Sequence, residues 1–184
     1  MAMLTWIIVA LLAALCLLGL CLYVSHKPLA AWDRYFVDHS WGQPSKWQLI
    51  EEASDPRVMV AYAFILAAYL VVQGRILQAA WALITLAVTD SLGIALKRLV
   101  HRTRPAAVRA HYSFPSGHVL GATAMALMMV TLFSQLWLQL LVVVLWLLIA
   151  ASRLSLKAHY LSDILAAICL SACVYACSMI AITL

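Results

Sequence analysis

The chain has 184 residues, 66% of them hydrophobic and 10% charged, against about 45–50% and 25% in an ordinary soluble domain. That composition excludes a water-soluble fold and leaves room for about six helices of about 20 residues, each long enough to cross a ~30 Å hydrocarbon core. The 12 Lys and Arg against 7 Asp and Glu give a net +5, but too little polar surface remains for a nucleic-acid groove, so anionic head groups or phosphates are the expected partners.

Residues 4–24 hold no charge and no proline, and they lack the basic start and small-residue cleavage site of a signal peptide, which predicts a retained first span. A shorter apolar run, 58–74, is closed by Gly74 and Arg75, and a third, 76–96, carries Asp90; together they predict a tight helical hairpin. The 33 uncharged residues from Val119 to Ala151 would make one helix of about 50 Å, too long for a membrane. Two spans turning near Ser134 and Gln135 are predicted instead. Residues 164–184 supply a sixth span, and the whole of 1–184 reads as one all-α domain, a six-helix membrane bundle. Between the first two spans, residues 25–57 interleave Trp32, Trp41 and Trp47 with charges, a pattern suited to short amphipathic helices in the interface. This segment is either a plain connection with aromatic anchors or a lid over substrate. The five cysteines all fall in apolar stretches. Cys169, Cys173 and Cys177 share a helix face as small packing residues, and no disulfide framework or metal spacing is implied.

If six spans alternate, eleven of the twelve basic residues and all six histidines lie on one side of the membrane, with Arg75 alone on the other. Such concentration has two explanations: a cytoplasmic location under the positive-inside rule, or an anion-binding active site on that face.

Three segments on that face carry chemistry. In the first, Lys97 and Arg104 are seven residues apart, two turns of a continued helix, and Pro105 disfavours helix at Arg104 and releases it into a loop. Two converging cations suit a phosphate, the arginine as a planar fork and the lysine as a point charge. In the second, Pro115-Ser116-Gly117-His118 precedes an apolar helix. Ser116 can cap that helix, its first-turn N–H groups can bind an anion, Gly117 admits close backbone approach, and His118 can protonate a leaving oxygen. In the third, Arg153 offers another fork, and His159 and Asp163 are four apart, so that on a helix the carboxylate can orient the imidazole for attack. Taken singly, each has a plain structural reading: interfacial anchors, a helix start with close packing at Gly117 and Gly121, and a hydrogen-bonded pair. Their conjunction on one face argues for a site.

The three segments resemble the type 2 phosphatidic acid phosphatase superfamily, whose pattern is a lysine, six residues and Arg-Pro; then Pro-Ser-Gly-His; then Ser-Arg, five residues, His, three residues and Asp. Lys97 to Pro105, Pro115 to His118 and Ser152 to Asp163 match it at every defining position. The resemblance implies a six-helix bundle and phosphoester or phosphoanhydride hydrolysis that needs no metal or cofactor. It makes His159 the nucleophile that forms a phosphohistidine, Asp163 its orienting partner and His118 the general acid. Lys97, Arg104, Arg153, Ser116 and Gly117 would bind the phosphoryl oxygens.

The expected function is therefore a lipid phosphate or diphosphate phosphatase in a bacterial cytoplasmic membrane. Undecaprenyl pyrophosphate, phosphatidylglycerophosphate and phosphatidate are the candidate substrates. A lipid phosphotransferase and a non-catalytic anion-binding membrane protein are the alternatives, while the superfamily's soluble haloperoxidase branch does not suit so apolar a chain. The resemblance favours an extracytoplasmic site, against the basic count. Asp90 is expected to neutralise a nearby cation or to serve the site; His101, Arg102, Arg109 and His111 are expected to solvate the interface or to hold a second phosphate.

Overall fold

The computed structural model describes residues 2–26, 29–39, 44–106 and 112–183. Among them the chain forms helices α1 (Ala2–His26), α2 (Ala31–Asp38), α3 (Pro44–Ala53), α4 (Pro56–Val72), α5 (Ile76–Val100), α6 (Gly117–Leu132), α7 (Leu136–Ser155) and α8 (Leu161–Thr183). The architecture is all-helical, and each predicted span has its helix. The split of the long apolar run falls at Phe133–Gln135, where Gln139 Nε2 donates to the Phe133 carbonyl at 3.0 Å and covers a helix end that has no partner of its own. By length and apolarity alone, α1, α5, α7 and α8 are long enough to cross a membrane. Helices α4 and α6 have 17 and 16 residues, and α3 with α4 forms a pair bent by 51°.

Local chemistry sets the ends. Asp55 caps α4, its carboxylate accepting from Arg57 N–H at 2.9 Å, and Pro56 sits at the first helical position, where no N–H is needed. Gly74, with φ +73°, lets Arg75 N–H return to the Leu70 carbonyl at 2.8 Å and turn the chain directly into α5. Helix α5 runs one turn beyond the expected residue 96 and stops at His101, which takes the left-handed conformation.

The helices pack as a bundle in which α1 lies along α8, α6 touches α4, α5, α7 and α8, and the short α2 and α3 sit against α8 and α7. Small residues permit close approach, as is usual where lipid gives no hydrophobic drive between helices. A Cβ at Gly121 would meet Met59 of α4 at 3.3 Å, and one at Gly93 would run into the Leu120 side chain of α6. The outward faces of α1, α4, α5 and α7 keep large apolar side chains such as Leu15, Ile65, Leu77 and Leu140 exposed. An apolar cavity of about 650 Å³ runs between α4, α6 and α7 beneath α3, from Ile50 and Ala53 to Tyr69 and Phe133.

Candidate active site

The ends of α5 and α7 and the starts of α6 and α8 meet at one end of the bundle, and the three basic segments meet there with them. Lys97 is in the last turn of α5, and its Nζ donates to the Tyr112 carbonyl at 3.4 Å. The same Nζ lies 4.0 Å from the position a Gly117 Cβ would take, so the lysine faces the first residue of α6. Arg104 reaches the site from the loop after α5 and not from a continued helix; its Nη1 donates to the Ala158 carbonyl at 3.4 Å. Arg153, 1% exposed at the end of α7, donates from Nη1 to Glu51 Oε1 at 3.1 Å.

His159 is 2% exposed. Its Nδ1 lies 2.9 Å from the Ser113 carbonyl and 3.6 Å from Asp163 Oδ2, so the hydrogen bond goes to the backbone and the carboxylate acts by its charge. A carbonyl only accepts, so Nδ1 carries the proton and Nε2 keeps the lone pair. Burial pulls the His159 pKa down to about 4; Asp163 opposes this, while Arg104 and Lys97 push the same way. The imidazole is therefore neutral at ordinary pH.

Ser116 occupies the cap position of α6, yet its hydroxyl accepts no hydrogen bond from the first turn. Its Oγ and His118 Nε2 are buried without a partner among the described residues. Arg153, Glu51 and Arg104 are the charges that bear on His118, with the His159 imidazole beside them. Buried polar atoms without partners are rare, and these two lie on the same helix start as the free first-turn N–H groups of α6, an arrangement suited to an oxyanion.

Asp163 is fully buried, with Oδ1 accepting from Arg102 Nη1 at 2.6 Å and Oδ2 from Tyr160 N–H at 2.9 Å. Arg102 also donates to Asp33 Oδ2 at 2.8 Å and to Ser162 Oγ at 2.7 Å, with its guanidinium 4.0 Å from the Tyr160 ring centre. Burial disfavours its charge, but Asp163 and Asp33 hold its pKa above the ordinary arginine value. Arg102 thus ties the two carboxylates together. His101 turns its ring edge-on to Tyr112, with centroids 4.6 Å apart. Asp90 lies mid-helix and makes no hydrogen bond among the described residues; Arg109 and His111 lie outside them.

Sequence reasoning missed Asp33, Glu51 and Ser113. The first two come from the interfacial segment, where acids next to tryptophans read as surface. Their only signal is position: Asp33 follows Trp32 in an eight-residue amphipathic helix. Ser113 contributes a backbone carbonyl, which no side-chain pattern announces.

The profile of the PAP2 superfamily matches residues 78–183, more than half of the chain. No curated protein matches it. Among solved structures, the chain resembles the crystal structure of a transmembrane PAP2-type phosphatidylglycerolphosphate phosphatase from Bacillus subtilis. The TM-score is 0.79 at 18% identity, covering 92% of this chain and 94% of that one. At that identity the likeness speaks for the fold.

Proposed function

The chain belongs to the PAP2 superfamily, and from that premise we propose that it hydrolyses a lipid phosphate or diphosphate without a metal, through a phosphohistidine. The observation that carries this reading is the buried, neutral His159. With Nδ1 donating to Ser113, its Nε2 lone pair is free to act, and Lys97, Arg104 and His118 act on the same spot.

In the first step Nε2 attacks phosphorus in line and the phosphorus bond to the leaving oxygen breaks. Lys97, Arg104, Arg153, Ser116 Oγ and the Gly117 N–H hold the three equatorial oxygens, where charge accumulates and preorganised donors act most strongly. His118, which holds a proton once the bound phosphate's negative charge offsets Arg153 and Arg104, gives it to the leaving oxygen. In the second step water attacks the phosphohistidine, His118 takes its proton, and His159 is released with inorganic phosphate. Asp163 opposes the positive charge that His159 acquires on phosphorylation. Glu51 Oε1 accepts from Arg153 Nη1, so an incoming phosphoryl group competes with its carboxylate.

A lipid substrate follows from the place of the site at the helix ends and from the apolar cavity below α3, which gives a hydrocarbon tail a path between α4, α6 and α7. The named activity of the Bacillus subtilis protein favours phosphatidylglycerophosphate, with undecaprenyl pyrophosphate and phosphatidate as the other substrates to test. The family resemblance supports a site on the extracytoplasmic side of the cytoplasmic membrane, against the basic count.

The test is phosphate release by purified protein in detergent with excess chelator, from each of the three lipids. Release is expected to survive chelation and to fall at least about a thousandfold in His159→Ala, as when a nucleophile is removed. Equal release by the variant would mean that the nucleophile is wrong. Transfer of label to a second lipid in place of water would make the protein a phosphotransferase.

A further inference from the structure

We propose that Asp33, on the interfacial helix α2, is a positioning residue for the reaction: it holds the Arg102 guanidinium, which fixes the Asp163 carboxylate beside His159. The inference rests on the reading of His159 as the nucleophile.

Asp33 Oδ1 accepts from Ser162 N–H at 3.0 Å, and its Oδ2 accepts from Ser162 Oγ at 2.6 Å and Arg102 Nη2 at 2.8 Å. Arg102 Nη1 continues to Asp163 Oδ1 at 2.6 Å. Both carboxylates are fully buried, and a buried carboxylate is tolerated only when paired and hydrogen-bonded. One guanidinium therefore serves two acids that lie 130 positions apart in the chain. An isolated helix of eight residues does not hold its shape in water, so the docking of α2 on the start of α8 fixes its place.

The consequence for the reaction is electrostatic. Asp163 stands 3.6 Å from His159 Nδ1, too far for a hydrogen bond, so it acts on the imidazole through charge alone. How much of that charge His159 feels depends on Arg102, and how fully Arg102 offsets Asp163 depends on Asp33. The other charged or titratable groups facing His159 are Lys97 of α5, Arg104 of the following loop and His118 of α6; among the described residues, none of them makes a hydrogen bond or ion pair with Asp33 or Arg102. Neutralising Asp33 leaves Arg102 to offset Asp163 in full and makes the imidazole harder to protonate. Neutralising Arg102 leaves Asp163 unopposed and makes it easier. A purely structural network has no reason to give opposite signs.

The experiment measures kcat and KM for phosphate release from a short-chain phosphatidate in detergent, across pH, for the wild type, Asp33→Asn, Arg102→Gln and His159→Ala. Both network variants are expected to lose about 10–100-fold in kcat, the loss typical when an outer partner of a reacting group is removed, with KM within about twofold. The acid limb of kcat is expected to move down by about one pH unit in Asp33→Asn and up by about one in Arg102→Gln. Asp33→Glu and Arg102→Lys, which keep the charges, are expected to restore its position. Limbs that stay put or move together would overturn the inference, as would variants that merely yield less folded protein of unchanged activity. A wild-type rate in His159→Ala would instead remove the reading of the nucleophile beneath it.

Discussion

The proposed attack on phosphorus requires a histidine that keeps a lone pair at working pH, and His159 keeps one because it is buried among cations. Activity is therefore expected to persist as pH falls through the ordinary histidine range and to be lost only near pH 4, a limb measurable from kcat against pH. Stability follows the same sign. A folded pKa of about 4 lies below the ordinary histidine value of 6.5, so the contribution of His159 is complete above about pH 6.5 and declines toward 4. Glu51 permits a second test. Removing its charge in Glu51→Gln frees Arg153 from a competitor and is expected to lower KM several-fold, about 1 kcal/mol by the arithmetic of affinity, with kcat little changed; an unchanged KM would show that Glu51 does not compete. Motif spacing and the family resemblance single out Lys97, Arg104, Arg153, His118, His159 and Asp163, and the structure brings their segments to one end of the bundle. The hydrogen bond that sets the His159 tautomer is not legible in the sequence, because its acceptor is the Ser113 backbone and depends on a loop meeting another 46 residues away.

At the scale of the element, the apolar runs and their breaks foretold the helices because length and hydrophobicity dominate in lipid. Spacing alone carries α5 on past its apolar run toward Pro105, whereas the helix stops sooner, where His101 turns left-handed. Helices α2 and α3 were foreseen as amphipathic, but a period of polarity cannot tell a face that meets water from one that meets a buried arginine. Close packing at Gly121 gives this scale its test. A Cβ there already meets the Met59 Cβ at 3.3 Å, and a β carbon cannot rotate away. Gly121→Val is expected to push α4 from α6 and to destabilise by about 1–3 kcal/mol, as overpacking commonly does. A thermal midpoint in detergent equal to that of the wild type would show that the bundle absorbs the change.

For the whole molecule, the face on which the site lies is decided by accessibility. In a cysteine-free background, Lys46→Cys and Arg75→Cys report opposite ends of the bundle, and impermeant reagents applied outside intact cells are expected to label position 46 and spare 75. The reverse would place the site in the cytoplasm, as the basic count alone argues. Composition could not resolve this, because the same cations serve a phosphate site and a topology signal. Helix α6, at 16 residues, rises about 24 Å where the hydrocarbon is ~30 Å thick. If its far end lies at one surface, its first turn, with Ser116 and His118, begins several ångströms below the other. Hydrophobic mismatch then becomes a control on rate: a thin bilayer brings phosphate groups level with that turn, and a thick one obliges each head group to sink before it reacts. The enzyme is expected to turn over faster in vesicles of short-chain lipid than of long-chain lipid at equal substrate density, so that the thickness of the surrounding membrane acts as a regulator of its own lipid chemistry.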